Sequence, residues 1–402
     1  MAGNNDLGAA KTAKKDEFYT QYGVIHAEVN EYVAYNRDVF RGKTILLPCD
    51  DPETSNFTKF FADKFEEYGL KRLISTTFAP KSKLEQYGVH TDPDLFDNKG
   101  KQYVFSEEEV AKRKAVNPNF DPDKHFTHGR VFILDSDLNN DGRINWDDIK
   151  HSWKYLDGNG DFRSEEVKQL RNEADIIITN PPFSLWREFF DWIIKANKQF
   201  LIIGNLNAVT YKEVFPLIKD NKIWLGPSIH SGDREFGVPP EYPLDAAGYR
   251  VDEEGNKYIR VKGVRWYTNV DHGTRHEPLQ FMTMADNLRY NKKIAENGYP
   301  KYDNYDAIEV CESDGVPSDY DNVMGVPISF LDKYCPEQFE ILGIDGGDMG
   351  VSYGVGATLS KAECDARFKE HKGFRRGKLC YRNKEGNLKM CYRRILIRKL
   401  TP

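Results

Sequence analysis

Short apolar runs alternate with amphipathic stretches over the first two-thirds of the chain. Lys43–Cys49 (KTILLPC) is apolar and runs into acidic residues, which predicts a buried strand followed by a polar turn. Thr54–Tyr68 sets Phe57, Phe60, Phe61 and Phe65 at helical spacing. Leu70–Phe78 predicts a second strand. Asp175–Asn180 (DIIITN) is the most strand-like segment, because its β-branched residues suit a buried, pleated surface. Ser184–Lys195 predicts a helix capped by Ser184, with Trp186, Phe189, Phe190 and Ile193 on its inner side. Lys198–Asn207 predicts a strand and Thr210–Lys219 a helix, while Ile223–Pro227 and Val264–Asn269 predict late strands. This alternation predicts an α/β fold with a doubly wound, mostly parallel sheet.

The pattern breaks between Ala79 and Lys154. That stretch is long, polar and rich in turn residues, so an inserted subdomain is expected over 79–154. Beyond His272 the chain is rich in Tyr, Asp, Pro and Gly, and a second, smaller region is expected over 271–402. Met1–Lys15 lacks the apolar core of a secretory signal, and residues 1–16 are expected to be a flexible lead-in. No stretch is long and apolar enough to span a bilayer. The six cysteines (Cys49, Cys311, Cys335, Cys364, Cys380, Cys391) form no CxxC pair. That argues against a zinc ribbon or a disulfide framework and for a reducing cytoplasm.

Charge adds an asymmetry. The chain carries a net −6, yet Arg367–Lys399 holds thirteen Lys/Arg against two Asp/Glu. Phe374, Tyr381 and Tyr392 are interleaved with these cations. A solvated, charged terminal strand pair is the plain reading. The arginine density and the aromatics favour phosphate contact, with Arg375, Arg376, Lys378, Arg382, Arg393 and Arg394 as candidate DNA-binding residues.

Candidate chemistry concentrates at Asn180-Pro181-Pro182-Phe183, which ends the DIIIT strand. In open α/β sheets, ligands bind beyond the carboxyl ends of strands. An exocyclic amine such as adenine N6 is a poor nucleophile, because its lone pair is delocalised into the ring. The Asn180 side-chain carbonyl and the Pro181 main-chain carbonyl can each accept one N6–H, drawing the nitrogen toward tetrahedral geometry and freeing its lone pair. The prolines fix φ and stiffen the loop. Phe183 offers a face for an extruded base, where stacking contributes roughly 1–3 kcal/mol. Extrusion itself costs only a few kcal/mol.

Asp137–Asp148 (DLNNDGRINWDD) matches a calcium loop, with Asp137, Asn139, Asp141, Asn145 and Asp148 at ligand positions and Arg143 supplying its main-chain carbonyl. A turn-rich loop that binds nothing is the competing reading. No HExxH, GxSxG or Cys–His arrangement stands out. His272 and His276 flank Arg275 and are candidates for phosphate contact or inert surface groups.

These segments resemble a known family. Asn-Pro-Pro-Phe has the Asp/Asn/Ser-Pro-Pro-aromatic form of amino-methyltransferases. Gly160–Phe189, Gly263–Asn269, Pro300–Val310, Asn322–Tyr334 and Tyr392–Arg398 resemble the EcoRI-type adenine-specific DNA methyltransferases, in the same order. The resemblance runs from about Glu17 to the C-terminus, interrupted by the insertion. It implies a Rossmann-like methyltransferase domain over 17–270, a C-terminal target-recognition region, S-adenosylmethionine as methyl donor and Asn180–Phe183 as the catalytic loop. It also implies three cofactor segments: Phe18-Tyr19-Thr20, the turn Pro48-Cys49-Asp50-Asp51-Pro52, and Asp161-Phe162. The Pro48–Pro52 turn lacks the family's usual glycines, and N-capping by Asp51 is its bland alternative. The implied function is transfer of a methyl group to N6 of a flipped adenine in double-stranded DNA, by a monomer, alongside a restriction endonuclease of the same site. The alternatives are methylation of RNA or protein glutamine, or a calcium-responsive DNA-binding module without catalysis.

Overall fold

The computed structural model describes residues 19–79, 105–149, 153–230, 233–238 and 248–400. Phe18, residues 1–16 and part of the expected insertion therefore lie outside the described residues. Contacts divide the chain into two units: Met1–Asn205 with Ser231–Asp271, and Leu206–His230 with His272–Pro402. No helix among the described residues is long and apolar enough to cross a membrane.

Strands are numbered in chain order, β8 (Trp224–Leu225) falling in the second unit. The first unit opens with β1 (Tyr19–Thr20) and the helix α1 (Tyr22–Tyr35). Its main sheet holds β2 (Thr44–Leu47), β3 (Arg72–Thr77), β4 (Arg130–Leu134), β5 (Lys154–Tyr155), β6 (Ile176–Thr179), β7 (Gln199–Asn205) and β12 (Val264–Thr268). Within this unit the order is β5-β4-β3-β2-β6-β7-β12. Strands β3, β2, β6 and β7 run parallel, whereas β4 and β12 run antiparallel to their neighbours β3 and β7. All residues of β2 and β6 are buried, which is why both read as unbroken apolar runs rather than alternating ones. The chain passes from β2 to β3 on one side and returns to β6 on the other, so the order reverses at β2. A second sheet joins β1, β9 (Asp233–Val238), β11 (Lys257–Lys262) and β10 (Arg250–Val251).

Several elements differ from expectation in their ends. The helix expected over Thr54–Tyr68 divides into α2 (Asn56–Asp63) and a turn at Phe65–Tyr68. Its apolar face is as read, with Phe57, Phe60, Phe61 and Phe65 buried. Ser55, not Asp51, caps it, accepting from the Phe57 N–H. Ser184 does not cap its helix. A 3-10 turn over Phe183–Leu185 precedes α4 (Trp186–Lys195), α3 being Glu165–Glu173, and Leu185 holds the cap position. The reason is local: the prolines hold the chain extended, and the Leu185 N–H donates to the Pro182 carbonyl at 3.0 Å.

The second unit carries the sheet β13-β14-β18-β15 and the hairpin β16–β17. Here β13 is Ile308–Glu309, β14 Met324–Pro327, β15 Phe339–Ile344, β16 Cys380–Arg382, β17 Leu388–Met390 and β18 Arg394–Lys399. Strand β18 is central and pairs antiparallel with both β14 and β15. The basic C-terminal block is therefore folded into a hairpin and an inner strand and does not form a tail.

Candidate active site at the carboxyl edge of the sheet

Parallel pairing of β2, β3, β6 and β7 puts their carboxyl ends on one edge. The Pro48–Pro52 turn leaves β2 there, and Asn180 follows β6 there. Asp50 joins the two. One carboxylate oxygen accepts the Ser55 hydroxyl at 2.7 Å, and the other accepts the Thr179 hydroxyl at 2.7 Å. Its N–H donates to the Thr76 carbonyl at 3.0 Å, and its carbonyl accepts the Ser75 hydroxyl. The Thr76 hydroxyl donates to the Pro48 carbonyl at 3.1 Å. Ser75 and Thr76 at the end of β3 are thus hydroxyl clamps on the turn. Asp50 and Pro48 are buried, while Cys49 is half-buried.

Thr20 is tied to the start of the helix that follows the turn. Asn56, the first residue of α2, donates its side-chain amide to the Thr20 carbonyl at 2.9 Å. The Thr20 hydroxyl is buried and has no hydrogen-bond partner among the described residues. Such a group costs free energy unless something satisfies it. Tyr19 is exposed.

The Asp161 loop joins this edge through β3. The Ala79 N–H donates to the Asn159 carbonyl at 2.7 Å, and Gly129 N–H to the Gly158 carbonyl at 2.9 Å. Gly160 has a φ of +79°, and a Cβ there would lie 2.2 Å from the Thr77 carbonyl oxygen, so only glycine fits. Asp161 is held by Arg163 in a two-toothed pair of 2.8 and 2.6 Å. Burial works against its charge, but the hydrogen bonds and charge of Arg163 outweigh that and hold its carboxyl below the ordinary range. Phe162 is buried edge-on to Phe189 and Trp192, with centroids 5.1 and 5.6 Å away.

In the loop after β6, Thr179 is fully buried, Pro181 is buried, and Asn180, Pro182 and Phe183 are half-buried. The sequence-predicted residues Asp50, Asn180 and the Asp161 loop thus come to one edge. Asp51 is turned instead to an ion pair with Arg130, which also holds Glu53. Sequence reading missed Ser55, Asn56, Thr179 and Arg130. For Ser55, Asn56 and Thr179 the signal was a hydroxyl or amide close to a strand end; Arg130 carried none.

The calcium expectation is corrected. The Asp137 carboxylate accepts the Asn140 and Gly142 N–H groups at 2.7 and 2.8 Å. Asp148 is fully buried, and its carboxylate accepts the N–H groups of Leu138 at 2.7 Å and Asn145 at 2.9 Å. Asn139 and Asp141 bond each other, and Asp141 accepts the Arg143 N–H at 2.9 Å. The loop stitches itself through its own backbone. Among the described residues, no group of three or more His, Cys, Asp or Glu is placed to hold a metal.

Arg394 is also corrected as a phosphate contact. It is buried and bonds Glu309 through Nε and Nη2, at 3.0 and 2.6 Å. Arg382 is paired with Glu370 at 2.7 Å and Asp303 at 3.4 Å. Arg375 is exposed and lies 5.1 Å over the Phe368 ring. Arg376 is exposed and donates to the Ala357 carbonyl at 2.7 Å. Arg393 donates to the Asp345 carbonyl at 2.5 Å, and Lys378 is half-buried.

Comparison with known proteins gives the family of the chain. A family described as adenine-specific methyltransferase EcoRI matches residues 6–400. The type II methyltransferase M.EcoRI of Escherichia coli is 39% identical over 355 residues, covering 87% of this chain and 94% of the relative. M.MgeORF184P of Mycoplasma genitalium is 31% identical, covering 83% and 84%. M.MpnI of Mycoplasma pneumoniae is 30% identical, covering 90% and 91%. No solved structure matches the chain. The chain belongs to the EcoRI family of adenine-specific methyltransferases, which makes it a DNA adenine methyltransferase.

Proposed function

We propose that the first unit is a doubly wound, Rossmann-like methyltransferase domain that methylates N6 of a flipped adenine in duplex DNA. The observation that carries this reading is the Asp50–Thr179 hydrogen bond, which ties the cofactor turn to the residue before Asn180. It sits where the strand order reverses, the usual ligand crevice of such sheets. Thr20, Pro48, Cys49 and Asp50 hold S-adenosylmethionine, with Asp161 beyond them. The acceptor-rich set fits a ligand bearing an ammonium and hydroxyls, and the unpartnered Thr20 hydroxyl fits a buried polar ligand. When bound, S-adenosylmethionine supplies an electrophilic methyl group.

This chain's own residues prepare the acceptor. Asn180 and the Pro181 carbonyl take the two N6–H bonds and localise the nitrogen lone pair, and Phe183 stacks on the extruded base. No strong base is needed, because the amine becomes acidic once it is cationic. The second unit carries target recognition, with exposed Arg375 and Arg376 as phosphate contacts. The enzyme acts as a monomer. The type II names of its relatives favour a restriction endonuclease that shares its site.

Replacing Asn180 by Ala tests the core of this. Turnover on DNA with tritiated cofactor is expected to fall on the order of 100-fold or more, with cofactor affinity kept. Retained activity in that variant would overturn the mechanism.

A further inference from the structure

The segment expected as an insertion sends a side chain into the cofactor turn. Arg130 opens β4 and is paired through register with Thr77, at the end of β3. Its side chain is only 12% exposed, and its two terminal nitrogens fork between Asp51 and Glu53. Trp153, from the same segment, donates its indole N–H to the other Glu53 oxygen at 3.2 Å. The guanidinium lies 5.2 Å from that indole ring. One planar cation thus bridges two carboxylates and stacks on an aromatic, a geometry that suits guanidinium and not ammonium.

The neighbouring residue is held differently. The Asp50 carboxylate accepts the Ser55 and Thr179 hydroxyls. Two free carboxylates beside it would compete for any cationic ligand and repel each other across the turn. We infer that Arg130 is a positioning residue for the methyl-donor site. It neutralises Asp51 and Glu53 and fixes the turn, so that Asp50 is the carboxylate presented to the ammonium or ribose of S-adenosylmethionine. Arg130 and Trp153 of that segment then belong to the surroundings of the cofactor site. This rests on the reading that the Pro48–Asp51 turn holds that cofactor.

The test is calorimetric titration of S-adenosylmethionine into the full chain, with steady-state kinetics, DNA affinity and thermal unfolding measured alongside. Arg130→Met is expected to weaken cofactor Kd by about tenfold or more, since small misplacements of a positioning group are costly. KM for the cofactor rises in parallel, while kcat at saturating cofactor stays within about threefold, the split of a lost binding interaction. DNA affinity is unchanged. Arg130→Lys recovers only part of the affinity, because an ammonium cannot fork between both carboxylates. Glu53→Gln, at a side chain 42% exposed, weakens Kd in the same direction by less.

A folded Arg130→Met with wild-type cofactor Kd overturns the role. Should that variant not fold, Glu53→Gln with unchanged Kd overturns it equally. Asp50→Asn separates the two ideas. Unchanged affinity there sinks the cofactor-turn reading itself. Lost affinity there, with wild-type Kd in Arg130→Met, sinks only the positioning role.

Discussion

Both oxygens of the Asp50 carboxylate accept a hydroxyl, and one of these comes from Thr179, fully buried beside Asn180. Thr179→Val keeps the shape of β6 but leaves that oxygen without its donor. An unsatisfied buried acceptor costs about 1–3 kcal/mol. Urea unfolding of Thr179→Val is therefore expected to show a loss of that size, with weaker cofactor binding. A variant as stable as the wild type would show that the bond contributes nothing. That Asn180–Phe183 and Asp50 meet at one sheet edge was legible in the sequence, because both follow short apolar runs that read as buried strands. Their supports were not legible. Thr179 and Asp50 are 129 residues apart, and only strand register brings them together. The same holds for choosing between Asp50 and Asp51: adjacent carboxylates look alike until Arg130, 79 residues on, claims one of them.

At the level of elements, β18 shows what charge density can hide. Tyr392–Arg398 (YRRILIR) reads as part of a basic tail, yet Ile395, Leu396 and Ile397 are fully buried in the central strand. The apolar triplet was the available signal. Arg394 pays for its burial by pairing with Glu309, whose carboxylate also accepts from Tyr302 and Cys391. Removing one partner strands a buried charge, so Arg394→Met is expected to cost about 3–5 kcal/mol in unfolding free energy. A phosphate contact at that position would instead lower DNA affinity without such a loss. Asp345, which accepts the Arg394 and Leu379 N–H groups, adds a pH term. Burial pushes its carboxyl up to about 6, against those hydrogen bonds. The folded state thus favours the proton. The contribution is complete below about 4, the ordinary Asp range, and fades as pH rises through about 6. Wild type should gain stability over Asp345→Asn as pH falls from 7 to 4, read as the difference in unfolding free energy. A difference that is flat over that range would contradict it. The broken pattern of 79–154 likewise concealed β4, because RVFIL is short and set among turn residues. Only its pairing with β3 gives it a place in the sheet.

For the molecule as a whole, a net charge of −6 says little about a polyanionic substrate, because the sign is unevenly placed. What matters is which cations remain available once the fold has used the others. Arg394 is taken by Glu309 and Arg382 by Glu370 and Asp303, so charge density in the sequence overstates the number of phosphate contacts. Arg375 and Arg376 are exposed, and their guanidinium groups bond backbone carbonyls, with no carboxylate partner among the described residues. Each phosphate neutralised releases counterions and adds about 0.9 to the salt slope on B-DNA. Arg375→Gln with Arg376→Gln should therefore weaken DNA binding on specific and nonspecific duplexes alike, and lower the slope of log affinity against log salt by roughly 2. Cofactor Kd should stay at the wild-type value, since the two arginines lie in the second compact unit and Asp50 in the first. A slope that does not change would remove both residues from the DNA interface, and with them the argument that the basic block meets the phosphate backbone.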